Sequence, residues 1–241
     1  MSDGRRVSLV TGSARGLGLA VAQHLRARGD RAHVVYRTEN ERAASLRDEF
    51  GDAAHRADLL QPADAERLVG EVRERSGRLD HVVHCVGEYV SGPLAECSHT
   101  DFVRMWASNA ESSFLLFNAA REALRAARGS AVFFGASGLN GLRGRRETAA
   151  YAAAKSALLV LVRGWAVEEA PHGVNVNMVS PGLIPHDAAH PDTLDAARQK
   201  RVPMGEPGRP ADIAEAVAFL SSPAAAHTTG TDLLVTGGWM L

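Results

Sequence analysis

Cysteine is nearly missing from this 241-residue chain: Cys85 and Cys97 are the only two. That excludes a disulfide framework and a cysteine-built zinc site, and no metal centre is expected. A reducing interior is the simplest setting. An excess of either charge is missing too. With 27 Lys plus Arg against 28 Asp plus Glu the net charge is −1, so neither nucleic acid nor a membrane surface is expected as a general partner. No apolar run approaches the roughly 20 residues that span a bilayer. The opening MSDGRRVSLV holds no apolar run with a cleavage site, and a cytoplasmic protein is expected. The last scarcity is lysine. Lys155 and Lys200 stand alone against 25 arginines, and Lys155 falls four residues after Tyr151.

What is present suits one soluble domain. Hydrophobic residues make up 45% of the chain and charged residues 23%, both ordinary values. The length can bury a sizeable core without staples. Short β-rich runs alternate with amphipathic helical runs. Strands are expected at 7–12, 32–37, 53–59, 79–87, 130–137, 173–182 and 232–238. Helices are expected at 17–29, 40–50, 62–77, 99–128, 149–170 and 210–222. The alternation implies right-handed crossovers and a parallel sheet covered on both faces. The fold class is therefore α/β, a single domain over 1–241 with a doubly wound parallel sheet of about seven strands. One proline-rich segment, 183–209, follows the sixth strand. It is either a substrate lid at the carboxyl edge of the sheet or an ordinary surface loop.

Three constellations carry chemistry. The first is "TGSARGLG" at 11–18, between the first strand and the first helix. Its Gly12, Gly16 and Gly18 let the backbone approach a pyrophosphate resting on the helix N-terminus. The second is the end of the second strand, where an acidic residue would favour the ribose 2′-hydroxyl of NAD. This chain has Tyr36, Arg37 and Thr38 there. Arg37, with Arg15 in the glycine turn, can hold a 2′-phosphate. NADP(H) is therefore expected over NAD(H), against the plainer reading of two surface arginines and with Glu39 close by. The third is Tyr151 with Lys155. Residues i and i+4 share a helix face, and an ammonium beside a phenol is expected to lower its pKa. Such a phenol can donate a proton to a carbonyl oxygen as hydride arrives. Lysine suits the position as a compact point charge with three donors for ribose hydroxyls.

Together these motifs resemble the short-chain dehydrogenase/reductase family, over nearly the whole chain. "TGSARGLG" resembles its T-G-x-x-x-G-x-G, "YAAAK" its Y-x-x-x-K, and "SPG" at 180–182 its proline-glycine motif. The closing "TGTDLLVTGGWML" and the length are most similar to β-ketoacyl-carrier-protein reductases. The resemblance implies a Rossmann-type fold, with Ser137 orienting a substrate carbonyl, Tyr151 as general acid and Lys155 holding ribose. It implies that Asn109 anchors a relay water and that Asp58 meets adenine. The full set of expected cofactor contacts is Gly12, Ser13, Arg15, Gly16, Leu17, Gly18, Arg37, Asp58, Leu59, Gly87, Tyr151, Lys155, Pro181, Gly182 and Ile184.

The expected activity is NADPH-dependent reduction of a ketone, a 3-oxoacyl thioester or similar β-keto compound, free or carrier-protein-bound. A pteridine or secondary-metabolite reductase of the same family is the alternative, and a non-catalytic nucleotide sensor a distant one. A homotetramer or homodimer through 99–128, 149–170 and the C-terminal strand region is implied. Departures from the family pattern are His84-Cys85-Val86-Gly87 where it has N-N-A-G, and His186 where it has threonine. His84 reads as a packing or strand-stabilising residue, with a catalytic role as the alternative. His186 can replace the threonine, face substrate or face solvent. Arg143, Arg145 and Arg146 lie in an insert at the active-site mouth, to meet an anionic group or form a solvated loop.

Overall fold

A computed structural model of the chain describes residues 4–141, 143–187, 189, 191, 195 and 202–240. Seven parallel strands form one sheet in the order β3-β2-β1-β4-β5-β6-β7. They are β1 Val7–Thr11, β2 Arg31–Tyr36, β3 Ala54–Arg56, β4 His81–His84, β5 Ser130–Phe134, β6 Asn175–Pro181 and β7 Asp232–Val235. Helices α1 Gly16–Ala27, α2 Glu41–Phe50 and α7 Pro210–Leu220 cover one face. Helices α3 Pro62–Ser76, α5 Ser112–Ala127 and α6 Ala149–Glu169 cover the other. The central strands β1, β4 and β5 are buried along their whole length, as expected of strands covered on both faces. The strand order reverses beside β1, between β2 and β4, and that reversal opens a crevice at the strands' carboxyl ends.

Local chemistry sets the boundaries. Asn40 caps α2 by accepting from the Ala43 N–H at 3.0 Å. Pro62 starts α3, and Gly77 ends it with φ of 75°, a left-handed conformation that suits glycine. The expected strand 53–59 is only Ala54–Arg56. Beyond it Asp58 turns the chain, accepting from Leu60 N–H through its side chain and from Gln61 N–H through its carbonyl. Such local bonds compete with strand pairing.

Two other expectations change. The run 99–128 is not one regular helix: α4 His99–Trp106 passes through a π-helical turn, Ala107–Glu111, into α5. Three side chains bond carbonyls four residues back in this stretch: Asn109 to Met105, Ser112 to Ser108 and Ser113 to Asn109. They satisfy carbonyls in the stretch where the wider turn alters the regular ladder. Contrary to the sequence reading, the stretch Ala149–His172 is long and apolar enough to cross a bilayer by length and composition. In this fold its helix is a core element. Leu158, Val162 and Trp165 pack into the same cluster as Phe133 and Met178, and Trp165 stacks on Phe117 with ring centroids 4.5 Å apart.

Two buried histidines make the fold acid-sensitive. His33 bonds His55 at 2.8 Å and Ser76 at 2.7 Å. Burial, then the His55 and Arg31 charges, drives its pKa down to about 3. Burial, then Lys155, drives His84 down to about 3 as well. Above the unfolded value of about 6.5 these groups are neutral in both states and contribute no pH dependence. Below it the unfolded chain takes up protons that the folded chain refuses, so stability falls with pH down to about pH 3. The slope is about 1.4 kcal/mol per pH unit for each histidine. Thermal melts from pH 7 to pH 5 should show a steadily falling midpoint; a constant midpoint would show that both rings accept protons in place.

Candidate active site

The turn after β1 is built by steric need. Gly12 has φ of 68° and Gly16 of 60°, where side chains are strained. A Cβ on Gly12 would lie 2.8 Å from the Cys85 backbone, and one on Gly18 would lie 2.4 Å from the Gly12 carbonyl oxygen. Backbone here packs on backbone, and the start of α1 is held at the crevice. Ser13 does less than expected at the cleft. Its buried hydroxyl donates to Val10 O and accepts from Val35 N–H, both at 2.8 Å, so it ties β1 to β2.

Two adjoining depressions share Cys85, Val86 and Gly87. The first, about 550 Å³, runs past Gly12, Arg15, Arg37, Arg42, Asp58 and Leu59. Glu39 is not in its wall. Arg47 holds that carboxylate at 2.7 Å while also bonding the Tyr36 hydroxyl, and the Arg47 hydrogen bond, outweighing desolvation, keeps Glu39 below its usual pKa. Asp58 accepts from Leu60 N–H, and its own N–H donates to Asp64.

The second depression, about 570 Å³, is lined by Leu17, Ser137, Tyr151, Lys155, Pro181, Gly182, Ile184 and His186, among others. Lys155 is buried, and its Nζ donates to the Phe134 carbonyl at 2.6 Å. Nζ lies 5.9 Å from the Tyr151 ring centroid. The expected lowering of the phenol pKa is not what this geometry gives. Burial pushes Tyr151 above its ordinary value, Tyr89 pushes the same way, and Arg145 pulls it down. Lys155 is driven down to about 8, again by burial. Each charge loses more solvation than its neighbours return.

Behind Lys155 sits Asn109, fully buried on the π-helical turn. Its Nδ2 donates to Glu88 O at 2.8 Å and Met105 O at 2.9 Å. Its Oδ1 is buried and has no partner among the described residues. Such an atom calls for a hydrogen donor. A Cβ on Gly87 would come within 2.3 Å of that Oδ1 and 3.2 Å of Lys155 Nζ, so only glycine fits between them.

His84 is a strand tie. Ser112 donates its hydroxyl proton to Ser108 O at 2.7 Å, so it accepts from His84 Nε2 at 3.0 Å. That leaves Nδ1 to accept from Thr11 Oγ1 at 2.7 Å. The ring is thus neutral and satisfied on both sides, joining β1, β4 and α5.

The sequence reading missed several wall residues. Tyr89 packs edge-on against Tyr151, with centroids 5.0 Å apart. Trp239 and Met240 come from the chain's end. Outside both walls, Asp187 accepts from Gly16 N–H at 3.0 Å, at the start of α1. Of the insert arginines, only Arg145 lines the cleft, whereas Arg146 is exposed and pairs with Glu147. Much of the expected lid, residues 188, 190, 192–194 and 196–201, lies outside the described residues.

Glycine cradle, switch-point crevice, arginine-lined adenosine end and orphaned Asn109 oxygen fit a nicotinamide dinucleotide; these features define a dinucleotide-binding α/β protein. A family model described as enoyl-(acyl carrier protein) reductase matches residues 12–240. The 3-oxoacyl-[acyl-carrier-protein] reductase FabG of Escherichia coli (strain K12) is 34% identical over 239 residues, 97% of this chain and 96% of its own length. The L-fucose dehydrogenase of Oryctolagus cuniculus is 34% identical over 244 residues, 97% of this chain and 84% of its own. Among solved structures, a dehydrogenase/reductase from Sinorhizobium meliloti 1021 superposes with a TM-score of 0.87 at 31% identity, covering 99% of this chain and 95% of its own. A blue fluorescent protein from a metagenomic library, in complex with NADPH, gives 0.87 at 30% identity, covering 98% of each chain. The chain belongs to this reductase family, among the short-chain dehydrogenase/reductases, and is an NAD(P)-dependent oxidoreductase acting on alcohol or carbonyl groups.

Proposed function

We propose that the protein is an NADP(H)-dependent reductase of β-keto compounds, with Tyr151 as the proton donor. The observation that carries this reading is the convergence of Tyr151, Ser137 and Lys155 on one cleft continuous with the glycine turn. NADPH, when bound, supplies the hydride. Gly12, Gly16 and Gly18 admit the pyrophosphate to the start of α1, with Leu17, Leu59, Pro181, Gly182 and Ile184 framing the cofactor path, and Ser13 holding the turn from below by joining β1 to β2. Asp58 meets the adenine, and Arg15 and Arg37 hold the 2′-phosphate. Lys155, fixed by the Phe134 carbonyl, binds ribose hydroxyls. Ser137 orients the substrate carbonyl. Burial keeps the proton on Tyr151 until the carbonyl oxygen takes it. Asn109 Oδ1 accepts from a relay water that restores that proton. The β-keto class rests on the likeness to FabG, whose printed name is a 3-oxoacyl-[acyl-carrier-protein] reductase. NADPH consumption with short 3-oxoacyl acids, esters and thioesters tests the reading; binding of NADPH with no consumption by any of them refutes it.

The same reading includes a homo-oligomer. Phe102, Val103, Trp106 and Phe114 on α4 and α5, with Val160 and Val167 on α6, are large apolar residues left exposed. Apolar exposure on adjoining helices marks an interface. Light scattering should give a multiple of the 25.6 kDa chain mass.

A further inference from the structure

We propose that Arg145 is the carboxylate-binding residue of the substrate pocket, so that the β-keto substrate carries a free carboxylate close to its ketone. The inference rests on the reductase reading and deepens it. Arg145 is a half-buried wall residue of the same depression as Ser137 and Tyr151. Its Nη2 donates to the Ser137 carbonyl at 2.6 Å, which anchors the guanidinium beside the residue that orients the substrate. A guanidinium has five donors in a planar fork matched to a carboxylate. Among the described residues no carboxylate pairs with Arg145. Among the described residues the one carboxylate in this wall is Glu147, and Arg146 engages it at 3.2 Å. Burial destabilises the charge on Arg145 and Arg143 opposes it as well, while the neighbouring phenols of Tyr151 and Tyr89, protonated at neutral pH, bring no negative charge to offset it.

A cation left under-compensated inside a binding cleft awaits an anion. The anchor at Ser137 puts that anion next to the reacting carbonyl, within a few bonds of it. A neutral ester or thioester brings no charge there. The phosphate of a carrier arm would lie far along the arm from the ketone. The wall of the same depression also includes Tyr89, Leu183, Trp239 and Met240, a surface suited to a short carbon chain. The reaction balances simply. The ketone carbon gains hydride from NADPH, its oxygen gains the Tyr151 proton, and a hydroxy acid and NADP⁺ leave.

The test compares acetoacetate with its ethyl ester and with an acetoacetyl thioester of N-acetylcysteamine. NADPH consumption is followed in wild type, Arg145→Met, Arg145→Lys and Arg146→Met. The expected wild-type kcat/KM for the acid exceeds that for the ester by at least about 30-fold. Arg145→Met should collapse that ratio to about one. Arg145→Lys, which keeps the charge and loses the fork, should give an intermediate ratio, and the exposed Arg146→Met should leave it unchanged. NADPH fluorescence and a melting curve confirm that each variant is folded. A wild type that consumes ester or thioester as readily as acid overturns the inference and leaves the reductase reading standing. A ratio that survives Arg145→Met also overturns it. Consumption of none of the three overturns both.

Discussion

Tyr151→Phe should lower NADPH-dependent reduction by about 1,000-fold, within the range for loss of a general acid, while NADPH binding changes less than about 3-fold. The phenyl ring keeps the edge-on packing against Tyr89 and the helical register with Lys155. What it loses is the phenol proton that the proposed mechanism gives to the carbonyl oxygen. Because burial raises the Tyr151 pKa, the phenol stays protonated through neutral pH and is ready to donate. The alkaline limit comes from Lys155 instead. Its ammonium is complete below a pKa of about 8 and is lost above it. The kcat/KM for reduction should therefore fall as pH rises through about 8, reporting the free enzyme. Steady-state rates across pH 6 to 10, with fluorescence titration of NADPH for both proteins, check both points. Retention of a tenth of the wild-type turnover by the Phe variant would remove Tyr151 from the chemistry.

Arg37→Ala is expected to raise the KM for NADPH by about 30-fold, as when a charge-assisted phosphate contact is lost. The KM for NADH should move less than about 3-fold. The argument turns on Glu39. A free carboxylate at the end of β2 would pair with the ribose hydroxyl of NAD and repel a 2′-phosphate. Arg47 and Tyr36 hold it in a separate network, so the adenosine end presents Arg15, Arg37 and Arg42. Loss of Arg15 together with Arg37 should deepen the defect for NADPH alone. Equal loss for both cofactors would assign Arg37 a structural role.

The parts legible in the sequence are those fixed by short-range chemistry. Strand and helix alternation gave the sheet, because doubly buried strands read as apolar runs and their crossover helices as amphipathic ones. The glycine turn was legible because Gly12 and Gly18 leave no room for a Cβ. The Tyr151–Lys155 pair was legible because four residues on a helix return to the same face. The rest depends on contacts between distant segments. Tyr89 reaches Tyr151 across the cleft, and Trp239 and Met240 arrive from the chain's end. Nothing in "GLRGRRETA" distinguishes Arg145 from Arg146 until the loop turns one inward and pairs the other with Glu147. The π-helical turn at Asn109 left a faint trace, a run of Ser and Asn able to bond carbonyls four residues back. The phenol pKa went the other way from the sequence expectation because the loss of solvation in the cleft outweighs the pull of the Arg145 charge.

The central claim is direct hydride transfer from NADPH to a β-keto carbon in the Tyr151 cleft. Reaction of the wild-type protein with NADPH deuterated at C4 and acetoacetate or its ethyl ester, followed by mass spectrometry of the product, measures that step. The account predicts one deuterium at the new carbinol carbon, from one face of the nicotinamide only, and no labelled product with Tyr151→Phe in the same time. A hydroxy product without deuterium from either face, or no product while NADPH is bound, would contradict it.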